Sequence, residues 1–413
     1  MASRCRIVPG SGSPQLSHAK DGSPVGKNIV ICSDGTGNTF DGRITNVTRL
    51  VRHLALDRPD RQVVRYDQGV GTVERREEEV AALLATLGGG GALRILSTPA
   101  ARKAPLIGWV DRLRGLLFGY GLKENVRQLY RELAQLYDGP DDHIFLFGFS
   151  RGAFTVRALA GLLHRCHLPN PVSVDEIDDR FELAWRLFQP MVADVDAVGQ
   201  LRADHRPCPV HFLGVWDTVK SYGGLDPVIL PHLRHNPDVA NVCHALALDE
   251  RRAWFKPTTW GQLDSDRRTA MTRLNPRDDP AYRAQVISEV WFTGCHSDIG
   301  AGDLALRWML GEATQVEPGL LLGNSGVSLL RQPDPIGPPE IHQSWNRRWR
   351  LVEQVRRREI DNSGVYPTRV RHRGSDGVRA AENSRRHESV AVHASVGDRH
   401  TIQGKVDVCE TRP

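Results

Sequence analysis

The stretch Gly148-Phe149-Ser150-Arg151-Gly152 sets one serine between two glycines, with an apolar run, His143–Phe147, before it. A helical pattern, Arg151–Leu163, follows directly. In that context G-x-S-x-G reads as a nucleophile elbow. The turn is too tight for side chains at the glycine positions, and the serine stands at a helix N-terminus, whose partial positive charge favours an anionic intermediate. A serine hydroxyl needs a base to attack near neutral pH, and the base needs an acid to orient it. The usual chain order for an elbow is Ser, acid, His. The first acid at a strand end after Ser150 is Asp217, in "VHFLGVWDTV", and His296 follows another strand end in "VISEVWFTGCHSDIG". The predicted base is His296 and the predicted orienting acid Asp217. His244, in "CHALALDERR", is the rival base; its pattern reads as helical, which suits packing or support better. Asp298 is the rival acid, read first as a turn residue shaping the histidine loop. His211 falls within a strand, and His164 and His167 flank the end of the helix after the serine.

A second stretch, "CSDGTGN" (residues 32–38), follows the apolar run "NIVI". A glycine-rich turn at a strand end offers backbone N–H groups to something negative. An aspartyl-phosphate would need a carboxylate two positions before Asp34, where Cys32 stands. A P-loop would need Gly-Lys-Ser/Thr, but Gly37 is followed by Asn38 and Thr39. The remaining occupant is the oxyanion of an ester under attack. Gly35 and Thr36 are its candidate donors beside the N–H of Arg151, with Asp34 bracing the loop.

The elements that must position these residues alternate. Strands are expected at Asn28–Ser33, Arg61–Tyr66, His143–Phe147, Pro209–Val215 and Val286–Thr293, and helices at 73–87, 122–137 and Arg151–Leu163. The strands are apolar throughout rather than alternating, which predicts an α/β fold with a mostly parallel sheet covered on both faces. Residues 1–27 read as a Ser/Gly/Pro-rich disordered tail, 28–310 as the catalytic domain, and 311–413 as an irregular basic region that includes "WNRRWRLVEQVRRRE". An insertion at about 73–120 interrupts the domain.

Composition narrows the function. The 413 residues are 40% hydrophobic and 25% charged, enough for one large α/β core with insertions or for two domains. A net charge of +5 gives nucleic acid no support as a partner. Seven cysteines show neither a CxxC pair nor metal-ligand spacing, so reduced thiols, a cytoplasmic setting and chemistry without metal or cofactor are expected. No apolar core of a signal peptide precedes residue 28 and no run is long enough to span a bilayer; signal-independent export stays open.

The segments "SDGTGN", "YDQGVGT", "GLKENVRQLY", "FLFGFSRGAF", "GVWDTV", "HALALDERR", "VWFTGCHSDIGAG" and "LALRWM" together resemble the bacterial and fungal α/β-hydrolase domain family that includes the type VI secretion phospholipase effectors. The resemblance covers roughly residues 28–310. It implies an α/β-hydrolase fold, puts Ser150, Asp217 and His296 on the triad, and points to a serine esterase acting on carboxylic or lipid acyl esters. One departure is local: Gly300-Ala301-Gly302-Asp303 joins "HSD" directly to "LALRWM", where the family has a longer loop. A second reading therefore stands beside the first, a catalytically weak relative that binds a lipid or protein partner. Within the insertion, Trp109, Leu113, Leu116 and Leu117 share one helical face while Arg112 and Arg114 lie nearer the polar side. This suits either a packed helix or a lid that meets an anionic membrane surface.

Overall fold

The computed structural model describes residues 26–35, 44–69, 91–96, 121–189, 194–219, 222–223, 226–227, 230–233, 236–250, 252, 255, 257–260, 285–333, 341–342, 390–393 and 406–409. Among them, nine strands join one sheet in which every neighbouring pair is parallel. They are β1 (Asn28–Ser33), β2 (Gln62–Asp67), β3 (Leu93–Leu96), β4 (His143–Phe149), β5 (Val210–Trp216), β6 (Val239–Ala247), β7 (Val286–Phe292), β8 (Val390–His393) and β9 (Val406–Cys409). In space they run β9-β8-β7-β6-β5-β4-β1-β2-β3. The order reverses between β1 and β4, which pair from Asn28↔His143 to Ser33↔Gly148. At such a switch point the crossovers leave toward opposite faces and open a crevice beyond the carboxyl ends of the strands. Asp34 follows β1 and Ser150 follows β4 there. Topology alone brings the two motifs together.

The helices are α1 (Asn46–His53), α2 (Leu122–Leu136), α3 (Arg151–Cys166), α4 (Val174–Phe188), α5 (Val195–Ala203), α6 (His296–Ala301), α7 (Asp303–Gln315) and α8 (Asn324–Arg331). Side chains alternate across each strand. Ile29, Ile31, Ile144, Leu146 and Leu213 pack under residues of α2, α3 and α4. Val30, Cys32, Phe145, Phe147 and Phe212 pack on the other face with α1 and α7. Both faces are covered, which is why the central strands β1, β4 and β5 are apolar through most of their length. Fully buried Phe145, Phe147 and Phe212 contribute roughly 1.5–3 kcal/mol each by leaving water.

The sheet is parallel and covered by helices on both faces, the architecture expected of an α/β-hydrolase. β1, β2, β4, β5, β7, α2 and α3 lie where the sequence predicts them, within a few residues at each end. Three expectations are corrected. Leu93–Leu96 is not insertion but the edge strand β3, paired with Val64–Asp67. Lys27 is not tail: its backbone N–H and ammonium both bond Asp142. The region after residue 311 is not uniformly irregular, since α7 runs on to Gln315, α8 follows, and β8 and β9 extend the sheet. The expected helix at 73–87, the candidate lid residues Trp109–Leu117 and the basic stretch after residue 343 lie outside the described residues. No helix among the described residues is long and apolar enough to cross a membrane.

Candidate active site

Ser150 joins β4 to α3 with φ 57° and ψ −118°, a conformation that L side chains adopt at a cost of order 1–3 kcal/mol. Its neighbours enforce that backbone. The Ser150 N–H donates to the Trp216 carbonyl at 3.0 Å. A Cβ on Gly152 would fall 2.1 Å from the Ser33 carbonyl oxygen, and one on Gly148 would fall 2.7 Å from the Ala153 backbone. Both glycines are required, but the obstacle is the end of β1 and the first turn of α3 rather than the serine itself. Arg151 opens α3, so its N–H has no carbonyl one turn earlier to bond. Its half-buried guanidinium is pushed down to about 10 by desolvation, still cationic at neutral pH.

Asp217 follows β5 with φ 36°, its N–H on the Ala245 carbonyl at 2.7 Å and its Oδ1 accepting the Ala247 N–H at 3.1 Å. β6 therefore fixes this turn from the side. Asp217 Oδ2 lies 2.6 Å from His296 Nδ1, and His296 Nε2 lies 2.8 Å from Ser150 Oγ. All three side chains are buried, Asp217 completely. Burial lowers the His296 pKa below its ordinary value, because the imidazolium loses water. The Asp217 carboxylate opposes that shift, Arg252 adds to it and Glu250 works against it. The ring is held neutral at pH 7, with Nδ1 donating to Asp217 and Nε2 set to accept from the serine.

The imidazole sits between two aromatic rings, Phe149 stacked at 4.6 Å and Phe255 edge-on at 4.9 Å. Its backbone N–H donates to Glu250 Oε2 at 3.2 Å. Glu250 is itself clamped by Arg252, which bonds both carboxylate oxygens at 2.8–2.9 Å and lies over the Phe255 ring at 3.7 Å. Asp249 accepts the Gly294 N–H at 2.7 Å. Gly300 of α6 lies against Phe149, where a Cβ would fall 2.1 Å from the ring. The direct join from α6 through Gly302 to α7 leaves His296 within reach of the serine. Phe149, Glu250, Arg252 and Phe255 were not singled out from sequence. Glu250 and Arg252 lie inside "HALALDERR", the only sequence signal pointing toward them.

Other expected residues differ in outcome. Asp34 is buried and accepts from Thr45, Thr48, Tyr66 and Gly35, which braces the loop; burial nonetheless raises its pKa from the ordinary carboxylate value, against the lowering by those hydrogen bonds. Gly35 corrects an expectation. Its N–H donates to Asp34 Oδ1 at 2.7 Å, so it is turned to its own loop rather than offered to an oxyanion. Thr36 lies outside the described residues. His244 is in strand β6, not a helix. It is fully buried, with Nδ1 2.8 Å from Glu289 and Nε2 accepting the Thr218 N–H at 3.2 Å. Asp298 Oδ2 accepts the Cys295 N–H at 3.0 Å in the first turn of α6, while the carboxylate on the His296 ring is that of Asp217. No group of three or more His, Cys, Asp or Glu side chains placed to hold a metal occurs among the described residues.

Residues 27–312 match the family model described as the catalytic domain of T6SS, phospholipase effector Tle1-like proteins. The chain belongs to this Tle1-like family. The Tle1-like chain is also 26% identical over 260 residues to "Uncharacterized protein YEL023C" of Saccharomyces cerevisiae (strain ATCC 204508 / S288c), covering 60% of this chain and 34% of that one. It thus spans about a third of that relative's length. Among solved structures it is similar to an uncharacterized protein from Pseudomonas aeruginosa, with TM-score 0.36 and 17% identity over 74% of this chain and 48% of the other. It is similar as well to the Tle1 effector bound to the VgrG spike from the type 6 secretion system, with TM-score 0.22 and 15% identity over 67% and 51% of the two chains. A third is the peroxisomal alpha-beta-hydrolase Lpx1 from Saccharomyces cerevisiae, with TM-score 0.25 and 10% identity over 85% and 90%.

Proposed function

We propose that this Tle1-like domain is a serine hydrolase that cleaves carboxylic esters, lipid acyl esters among them, through an acyl-enzyme. The observation that carries the reading is the unbroken hydrogen-bonded line from Asp217 Oδ2 to His296 Nδ1 and from His296 Nε2 to Ser150 Oγ, at 2.6 and 2.8 Å. Ser150 Oγ attacks the ester carbonyl carbon as its proton passes to His296 Nε2. Asp217 stabilises the resulting imidazolium and keeps the ring in the tautomer that can accept. The oxyanion meets the N–H of Arg151 at the positive end of α3; one such donor typically contributes a factor of 10²–10³ in rate. The tetrahedral intermediate then collapses. The carbon–oxygen bond to the alcohol breaks, the alcohol leaves with the proton held on Nε2, and the acyl group stays on Oγ. Water repeats the sequence, giving up its proton to Nε2, and the acid is released as Oγ recovers that proton.

The lipid part of the reading rests on the family's description as phospholipase effectors. Hydrolysis of soluble acyl esters and of phospholipid vesicles by the purified protein, with and without EDTA, tests it. Turnover of both substrates that survives the chelator is expected; strict dependence on added Mg²⁺ or Ca²⁺ would contradict it. A second reading, a catalytically weak binder of lipid or protein, is favoured by Gly35, whose N–H is taken up by Asp34. Covalent labelling by a fluorophosphonate separates the two, because a weak binder would leave the probe unreacted.

A further inference from the structure

Helix α6 is six residues long and carries His296 at its first position. A helix that short is not stable alone, so its place depends on what ties it down. One tie comes from far along the chain. Asp298, buried in the first turn of α6, accepts two hydrogen bonds from His342: Nδ1 to Oδ1 at 2.7 Å and the backbone N–H to Oδ2 at 3.0 Å. The same Oδ2 accepts the Cys295 N–H at 3.0 Å, which closes the helix start. His342 lies beyond residues 27–312, the segment that matches the catalytic-domain family.

We propose that His342 is a positioning residue of the site. Its ring and backbone form a single-residue fork that holds both oxygens of Asp298 and stops the carboxylate rotating. Asp298 in turn fixes the Cys295–His296 turn, and so the distance from His296 Nε2 to Ser150 Oγ. This rests on the Ser150–His296 reading above. Misplacing a catalytic group by about 1 Å costs on the order of 10²-fold in rate. Loss of the ring donor alone, with the backbone N–H still bonded, is therefore expected to cost roughly tenfold.

The test compares His342→Ala, His342→Asn and His342→Gln in the full chain. Asn puts an amide donor where Nδ1 was, whereas Gln puts it where Nε2 was, out of line with Asp298. The readouts are the second-order rate of fluorophosphonate labelling, kcat and KM on a soluble ester, and the melting temperature. Labelling and kcat are expected to fall roughly tenfold in the Ala and Gln proteins with KM nearly unchanged, and to recover in the Asn protein. Equal rates in the Asn and Gln proteins would overturn the proposal, even if the Ala protein does not fold. So would losses that merely track melting temperature. An unlabelled wild type would instead defeat the hydrolase reading. The proposal is then read from solvent exchange of the His296 Nδ1 proton in NMR spectra. Faster exchange in the Gln protein than in the Asn protein supports it, and equal exchange overturns it.

Discussion

The two halves of the site are held by different means. The serine half is a backbone construction. Ser150 is forced into its conformation by a carbonyl from β5 and by two glycines that let α3 start against the end of β1. The histidine half is a side-chain construction. Its short helix is fastened by Asp249, Glu250, Asp298 and His342, and its ring lies between Phe149 and Phe255. A backbone site tolerates no extra atom, because neither wall can move. A side-chain site can yield, and loses function before it loses the fold.

The largest expected effect is common to both halves. Ser150→Ala and His296→Ala should each reduce ester turnover by roughly 10⁶ while the protein stays folded, as shown by circular dichroism and turnover together. Near-normal activity in either variant would dissolve the assignment. Asp217→Asn should cost on the order of 10⁴ in kcat, because the ring loses the group that fixes its tautomer.

The next effect sets the halves directly against each other. Gly152→Ala and Gly300→Ala each bring a methyl group to about 2.1 Å from a neighbour, but the first meets the Ser33 carbonyl and the second the end of the Phe149 ring. Gly152→Ala is expected to fail to fold or to lose well over the roughly 1–3 kcal/mol typical of overpacking. Gly300→Ala should fold, with Phe149 displaced and kcat reduced. Thermal melts and kinetics on both proteins check this, and equal loss of stability would remove the distinction.

Of similar size in stability is Glu250→Gln, read from its thermal melt, which leaves the buried Arg252 without its carboxylate. Breaking one side of such a pair typically costs about 3–5 kcal/mol in the interior. The smallest effect is the pH profile. His296 must be neutral to accept the serine proton, and burial puts its folded pKa below the ordinary histidine value despite Asp217. kcat/KM should therefore rise with pH through a midpoint below that value and stay level around neutrality. Because Asp217 raises the His296 pKa, any residual activity of Asp217→Asn should show its midpoint at still lower pH. A midpoint above the ordinary histidine value in the wild type would contradict the described burial.

The same contrast explains what was legible. The elbow could be read because its demands are local: two glycines, a strand and a helix within a few residues of Ser150. The placement of Asp217 and His296 beside Ser150 could be read because each follows an apolar strand, and a parallel sheet carries all such ends to one edge. His244 was misread as helical because "CHALA" is a fully buried stretch of strand, and a short apolar run has no period that separates strand from helix. The Gly35 N–H was misassigned because its direction depends on a carboxylate rotamer, which spacing does not encode. Glu250, Phe149 and His342 were missed because they contact His296 or its helix from 44 to 147 residues away.

The central claim, that Ser150 is a nucleophile served by His296, is tested most directly by mass spectrometry of the fluorophosphonate-treated protein. The account predicts one adduct, mapped to the peptide carrying Ser150, absent in Ser150→Ala and formed far more slowly in His296→Ala. A folded wild-type protein without an adduct, or with its adduct on another residue, would contradict it.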